Sequence, residues 1–178
     1  MKRHLFLTGP IGCGKSTAIQ TALGDTLSQC GGFLTRRYRE PHLHFVLESP
    51  DGQVKETFLD FALGKPEVNL AVFSEHYLQG KVLVLDEIGG IELLNPEFVS
   101  ALENVLNSNI PILGVLKGAG PAGALIEKLE LTEKYQQAAD NLRQQLLSDP
   151  NTLIYECEQY DKNALLLAGQ WAEEYLHG

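Results

Sequence analysis

Residues 9–17 read Gly-Pro-Ile-Gly-Cys-Gly-Lys-Ser-Thr, and this stretch decides the fold of the chain. The spacing from the first glycine to the Gly-Lys-Ser run is typical of a loop that binds phosphate. The glycines let backbone N–H groups point inward at phosphate oxygens, and the lysine reaches the β- and γ-phosphates as a mobile charge. The serine hydroxyl has the right length to touch Mg²⁺. We therefore predict a nucleotide-binding loop made of Gly9, Pro10, Ile11, Gly12, Cys13, Gly14, Lys15, Ser16 and Thr17.

The residues on either side of this loop support the prediction. His4–Leu7 is an apolar-rich segment that favours a β-strand, and Lys15–Leu23 favours a helix that stops at Gly24. Strand, loop and helix in this order aim the N-terminus of the helix, with its free N–H groups, at an anion.

A second informative stretch begins at Val82 and reads Val-Leu-Val-Leu-Asp-Glu. Four apolar residues in a row favour a strand that is buried on both faces, as in a parallel sheet. The strand ends in Asp86 and Glu87, at the edge of the sheet where ligands bind in such folds. We predict that Asp86 and Ser16 hold Mg²⁺ and that Glu87 orients or deprotonates an attacking water.

The remaining pattern alternates between strands and helices. A hairpin is predicted from Leu43–Leu47 and Val54–Leu59, which flank the turn sequence Ser-Pro-Asp-Gly. Residues 66–80 are ambiguous between strand and helix. Other strands are expected at Phe33–Thr35, Ile110–Leu116 and Thr152–Tyr155, and helices after Asn95-Pro96, over 125–147 and around Leu167–Tyr175, with a loop at Gly118–Gly123. The pattern predicts one three-layer α/β domain over residues 1–178, with a mostly parallel sheet and an antiparallel hairpin extension.

Composition excludes several classes of protein. The chain has 178 residues and a formal net charge of −9, which disfavours binding to nucleic acid. Its three cysteines form no CxxC pair and their number is odd, so we expect a reducing compartment such as the cytoplasm. We expect no signal peptide and no membrane association, because no apolar run approaches the length of a membrane span.

Three segments of the chain together resemble a known family, the small nucleoside-triphosphatases of bacteria, archaea and animals. They are residues 3–10, residues 32–35 followed by Arg39, and residues 85–93, which read Leu-Asp-Glu-Ile-Gly-Gly-Ile-Glu-Leu. The resemblance implies a P-loop NTPase fold and Mg²⁺-dependent hydrolysis of nucleoside triphosphates to diphosphates and phosphate. Water would attack the γ-phosphorus in line, with Glu87 aligning it and Lys15 supplying charge. Arg39 matches an arginine of the family and is the candidate arginine finger.

The chain also departs from the family pattern. The family usually has Lys-Met-Glu where this chain has Gly90-Ile91-Glu92, which implies that a basic residue near the site is absent. Arg36 and Arg37 stand where acidic residues are usual, and they are this chain's own candidates for a finger. Asp161-Lys162-Asn163 replaces an Asn-Arg pair, and residues 118–140 are longer than the family's loop.

Two alternatives stay open at this point. The first is a nucleotide or nucleoside kinase, although the stretch 118–147 holds only Lys128, Lys134 and Arg143 as basic residues for a lid. The second is a slow nucleotide-dependent switch or assembly factor that signals through the helix at 125–147. The expected small-molecule partner is a nucleoside triphosphate, and a protein partner is left open.

Overall fold

A computed structural model of the chain describes residues 1–118, 127, 130–159 and 161–177. Within these residues a single sheet of eight strands forms the centre of the molecule. The strands are β1 His4–Thr8, β2 Gly31–Tyr38, β3 His44–Glu48, β4 Lys55–Asp60, β5 Glu67–Val68, β6 Leu83–Ile88, β7 Ile112–Leu116 and β8 Thr152–Glu156.

Helices follow most of the parallel strands. They are α1 Lys15–Leu23, α2 Pro96–Leu106, α3 Thr132–Ser148 and α4 Lys162–Ala172, the last of which continues as a π-helix over Glu173–His177. The side chain of Asn95 accepts hydrogen bonds from the first N–H groups of α2, and Asp161 caps α4 in the same way. Both caps satisfy N–H groups that a helix cannot pair internally.

The strand order in the sheet is β5-β4-β3-β2-β6-β7-β1-β8. Neighbouring strands in the part β2-β6-β7-β1-β8 of this order are parallel. Neighbouring strands in the part β5-β4-β3-β2 are antiparallel. This is the mostly parallel sheet with an antiparallel extension that the sequence predicts, and the three-layer α/β prediction is confirmed.

Alternating side chains of the central strands build a hydrophobic core on each face of the sheet. Phe6 of β1 and Leu83 of β6 point into the core that α2 and α3 cover, whereas Leu5 of β1 and Val84 of β6 point into the core that α1 and α4 cover. Trp171 of α4 is fully buried in the second core. Because both faces are covered, consecutive apolar residues fill the middle of β1 and the first half of β6.

The order of the strands brings the predicted site residues to one edge of the sheet. Strand β7 lies between β1 and β6, and Val115 of β7 is level with both Leu7 and Asp86. The residues that directly follow these positions therefore meet at one edge of the sheet, at the carboxyl ends of the three strands. This edge carries the phosphate loop, Glu87 and Lys117.

Several predicted boundaries differ from the structure. Strand β2 extends from Gly31 to Tyr38, so Arg36 and Arg37 belong to the strand rather than to a following loop. The ambiguous stretch 66–80 contains the short β5 and two 3₁₀ turns, Leu70–Val72 and Glu75–Leu78. Helix α3 begins at Thr132, later than the predicted 125. Residues 119–126 and 128–129, which include most of the predicted loop after Gly118, lie outside the described residues.

None of the helices in the described part of the chain has both the length and the apolar character needed to cross a membrane.

Candidate active site

The phosphate loop curls between the end of β1 and the start of α1. Gly9 has φ 131°, and a Cβ there would lie 2.5 Å from the carbonyl oxygen of Cys157, so only glycine fits this approach. The loop also leaves the N-terminus of α1 open, because no side chain in the described residues caps it. The N–H groups of the first helical turn are therefore available to an anion.

Lys15 folds back over the loop. Its Nζ donates hydrogen bonds to the carbonyl oxygens of Gly9, at 2.9 Å, and Pro10, at 2.7 Å, and lies 3.5 Å from Sγ of Cys13. The ammonium group is thus held above the cradle where phosphate oxygens would bind. Cys13 is buried, which agrees with a packing role for that loop position.

A cavity of about 560 Å³ opens over this loop. Its lining consists of seven residues from Gly9 to Thr17 together with Arg37, Phe45, Glu87, Lys117 and Gly118. Pro10, Cys13 and Asp86 are not among the lining residues. The sequence-predicted Lys15, Ser16 and Glu87 are therefore brought to one cavity, with Asp86 reached through Ser16.

Asp86 and Ser16 form a pair of oxygen ligands suited to a hard cation. Ser16 Oγ donates a hydrogen bond of 2.8 Å to Asp86 Oδ1, and Asp86 is only 2% exposed. Burial raises the pKa of Asp86 to about 6, against the opposing effect of the Ser16 hydrogen bond. A buried carboxylate that water does not stabilise is a favourable place for a divalent cation. No cluster of three or more His, Cys, Asp or Glu side chains able to hold a metal occurs in the described residues.

Glu87 turns in another direction from its neighbour Asp86. Its Oε1 lies 3.0 Å from Nζ of Lys117, and about a third of its side chain, 31%, is exposed in the cavity. The backbone N–H of Glu87 donates to Thr35 Oγ1 at 3.3 Å. Glu87 is therefore a solvent-reachable carboxylate that faces the phosphate loop with a cation beside it.

The turn after β6 is held by two buried side chains. Glu92 Oε1 accepts hydrogen bonds from the N–H groups of Gly89, at 2.5 Å, and Gly90, at 2.9 Å. Tyr135, in the first turn of α3, donates to the carbonyl oxygen of Gly89 at 2.8 Å. Burial raises the pKa of the Glu92 carboxyl. Burial also raises the pKa of the Tyr135 hydroxyl, to about 12. These bonds fix the backbone two to three residues beyond Glu87.

The three candidate arginines lie in different places. Arg36 is half-buried and bonded to Gln20 Oε1 at 3.1 Å and to Glu48 Oε2 at 3.5 Å, so it joins β2 to α1 and β3. Arg37 lines the cavity and stacks over the ring of Phe45 at 5.8 Å. Arg39 follows β2, is exposed and is not among the residues that line the cavity. The finger role of Arg39 stays a prediction.

Sequence reasoning missed Lys117, Phe45 and Tyr135. The signal for Lys117 was present, because a lysine directly after an apolar strand resembles the position of Glu87 after β6. The expectation that a basic residue is absent here is wrong for the folded chain, since Lys117 brings an ammonium group next to Glu87. Phe45 and Tyr135 carried no such signal, since each is part of an ordinary apolar pattern.

Several known proteins are similar in sequence to this chain. A family model described as NTPase matches residues 59–149. The mouse cancer-related nucleoside-triphosphatase homolog is 30% identical over 159 residues, in an alignment that covers 72% of this chain and 83% of that protein. The nucleoside-triphosphatase THEP1 of Thermotoga maritima is 24% identical over 177 residues, in an alignment that covers 91% of this chain and 90% of that protein.

Solved structures are similar to this chain as well. The crystal structure of THEP1 from Aquifex aeolicus has a TM-score of 0.61 at 17% identity, covering 92% of this chain and 95% of that chain. The solution structure of a human cancer-related nucleoside triphosphatase has a TM-score of 0.53 at 25% identity, covering 83% and 99%.

Proposed function

The chain belongs to the NTPase family, and on that premise we propose that it hydrolyses nucleoside triphosphates to diphosphates and phosphate. One observation carries the proposal: Glu87, a solvent-reachable carboxylate, lies in the same cavity as Lys15 and the open N-terminus of α1. A phosphate cradle that faces a carboxylate has the groups needed to bind a triphosphate and to position water against it.

The reaction we propose is an in-line attack of water on the γ-phosphorus. N–H groups of the loop and of the first turn of α1 bind the phosphate oxygens, and Lys15 exchanges its bonds to loop carbonyls for bonds to the β- and γ-phosphates. Glu87 orients the water and accepts its proton. Asp86 and Ser16 are suited to hold a Mg²⁺ ion, which when bound neutralises charge on the phosphates.

Arg37 is the arginine that the geometry favours as an additional cation. It lines the cavity over Phe45, whereas Arg36 is bonded to Glu48 and Gln20, and Arg39 lies outside the lining. An arginine that reaches the transferring phosphoryl group typically contributes about 10³–10⁵ in rate. Arg39 remains the candidate that the family resemblance favours.

A phosphate-release assay tests the proposal. Purified protein with Mg²⁺ and each of the four common nucleoside triphosphates is expected to release phosphate without any second substrate. Lys15→Ala is expected to lose most of its affinity or turnover, because the loop loses its side-chain charge, while the exposed Lys65→Ala serves as a charge-matched control.

The same assay separates hydrolysis from transfer to an acceptor. Adding nucleoside monophosphates or nucleosides is expected to leave the rate of triphosphate consumption unchanged. Rapid formation of a phosphorylated acceptor would replace the hydrolase proposal with a kinase. Wild-type turnover by Lys15→Ala would contradict the role of the phosphate loop.

The acidic composition, with a net charge of −9, supports a small nucleotide rather than nucleic acid as the substrate.

A further inference from the structure

Lys117 is a cation that belongs neither to the phosphate-loop motif nor to the Asp-Glu pair. It directly follows β7, and its backbone N–H donates to the carbonyl oxygen of Ile88 at 2.8 Å, which continues the pairing of β7 with β6. Because β7 lies between β1 and β6, Lys117 stands between the phosphate loop and Glu87. Its position is set by the central sheet rather than by a free loop.

The side chain of Lys117 reaches into the cavity and is partly exposed there, at 27%. Its Nζ bonds Glu87 Oε1 at 3.0 Å. An ammonium group has three donor hydrogens, so one bond to Glu87 leaves donors for another acceptor in the same cavity.

Gly90 lies directly beside this side chain. A Cβ at residue 90 would lie 3.6 Å from Cδ and 3.7 Å from Nζ of Lys117, which is van der Waals contact. Glu92 lies two residues beyond Gly90, 3% exposed, and the positive charge of Lys117 partly offsets the burial that raises the pKa of the Glu92 carboxyl. The ammonium group is therefore close to the buried carboxyl group of Glu92 as well as to Glu87, the carboxylate in the cavity.

The other cations that line the cavity are oriented differently. Lys15 bonds the loop carbonyls on one wall, and Arg37 stacks on Phe45. Lys117 comes from the end of β7, beside Glu87. A triphosphate in the cradle brings its γ-phosphate towards Glu87, and like charges repel unless a cation lies between them.

We propose that Lys117 is a catalytic residue that contacts the γ-phosphate and bridges it to Glu87. The inference rests on the proposed function and deepens it, because it assigns recognition of the third phosphate to the end of β7. In the free protein Lys117 neutralises Glu87. With a triphosphate bound it keeps that bond and donates a second one to a γ-phosphate oxygen, which brings base and phosphate together around the attacking water and stabilises charge in the transition state.

The test measures binding separately from turnover. Affinities for a non-hydrolysable triphosphate analogue and for the matching diphosphate are measured with Mg²⁺ on wild type, Lys117→Met and Lys117→Arg. Lys117→Met is expected to lose about tenfold in triphosphate affinity, the value of one charge-assisted hydrogen bond, with diphosphate affinity unchanged. Its kcat is expected to fall roughly 10²–10³-fold, as when one transition-state donor is removed. Lys117→Arg is expected to recover part of both losses.

Lys81→Met is the matched control, since Lys81 is exposed just before β6, at the end of that strand opposite to Glu87. It removes the same charge and is expected to behave as wild type in both assays.

The Glu87→Gln variant serves as a second background for the same measurement. It distinguishes direct contact of Lys117 with the phosphate from an effect of Lys117 that acts only through Glu87. In Glu87→Gln, the additional Lys117→Met change is still expected to lower triphosphate affinity relative to diphosphate affinity. Equal affinities with and without Lys117 in either background would overturn the inference. If the wild type releases no phosphate, the proposed function fails by itself, and the binding comparison still decides the role of Lys117.

Discussion

The adjacent carboxylates of Asp86 and Glu87 differ in what surrounds each of them. Asp86 is 2% exposed and accepts a hydrogen bond from Ser16, whereas Glu87 is 31% exposed and bonds Lys117. The carboxylate of Asp86 reaches the hydroxyl of Ser16, whereas the carboxylate of Glu87 reaches the cavity. The two are therefore expected to respond differently to removal of charge.

Glu87→Gln keeps the size of the side chain but removes the charge that polarises water. We expect hydrolysis to fall by roughly 10²-fold or more, the usual scale for loss of a general base. Affinity for a triphosphate analogue is expected to be kept or slightly improved, because Glu87 faces the attacking water and repels the phosphates.

Turnover and analogue affinity are measured on one preparation of each variant. Glu103→Gln, an exposed change on α2, is the control and is expected to match wild type. Unchanged turnover in Glu87→Gln would remove the water-activating role, and lost affinity with normal turnover per bound nucleotide would reassign Glu87 to metal binding.

Asp86→Asn removes the charge of the buried carboxylate and keeps its size. We expect the Mg²⁺ concentration needed for half-maximal turnover to rise, because the cation loses a charged ligand. A Mg²⁺ titration of turnover checks this, and a curve identical to that of wild type would place the metal elsewhere.

At the level of elements, helix α3 is joined to the turn that follows β6. The hydroxyl of Tyr135 reaches the carbonyl oxygen of Gly89 from the first turn of α3, and Glu92 holds the N–H groups of the same turn. Tyr135 is 5% exposed, so its hydrogen bond is shielded from water. Helix α3 thus contacts the backbone two residues beyond Glu87.

Tyr135→Phe deletes this hydroxyl and leaves a buried carbonyl group without its partner. We expect the free energy of unfolding to fall by about 1–3 kcal/mol, the usual cost of an unsatisfied buried polar group. Urea denaturation measures it. Tyr155→Phe is the control, because Tyr155 bonds Asp161 at a more exposed position and is expected to cost less. Equal stability of Tyr135→Phe and wild type would show that water replaces the hydroxyl.

At the scale of the whole molecule, stability depends on a buried histidine at the amino-terminal end of β1, the end of that strand opposite to the phosphate loop. His4 begins β1 with no solvent exposure, and its Nε2 lies 3.3 Å from the carbonyl oxygen of Leu106. Burial, assisted by the positive charge of Arg3, lowers the pKa of His4. The neutral ring is therefore the form that the folded protein favours.

This shift makes stability depend on pH. As the pH falls through the ordinary range of histidine, near 6.5, the unfolded chain binds a proton that the folded chain resists, so the free energy of unfolding falls. We expect His4→Gln to show a shallower decrease than wild type between pH 7 and pH 5 in urea denaturation, and the exposed His76→Gln to retain the wild-type slope. Identical slopes for wild type and His4→Gln would contradict the prediction.

The sequence was informative wherever the signal was local. The phosphate loop, the buried strand that ends in Asp86 and Glu87, and the hairpin of β3 and β4 were predicted from short stretches. The spacing of the glycines, the run of apolar residues and the turn sequence are each contained within about ten residues. Each signal therefore depends on its own short segment and not on contacts with distant parts of the chain. Boundaries were less certain. The extension of β2 through Arg36 and Arg37 depends on pairing with β3, which no local pattern reports.

What the sequence by itself determined is the chemistry available to the protein: a phosphate cradle with Lys15, a serine and an aspartate suited to a cation, and a glutamate beside them. Which side chains join that chemistry was decided only by the tertiary structure. Insertion of β7 between β1 and β6 sets Lys117 against Glu87, and the alternation of β2 selects Arg37 for the cavity. The reason is physical. Strand order and register come from burying both faces of the sheet under helices, a balance over the whole chain that brings residues far apart in sequence to one edge.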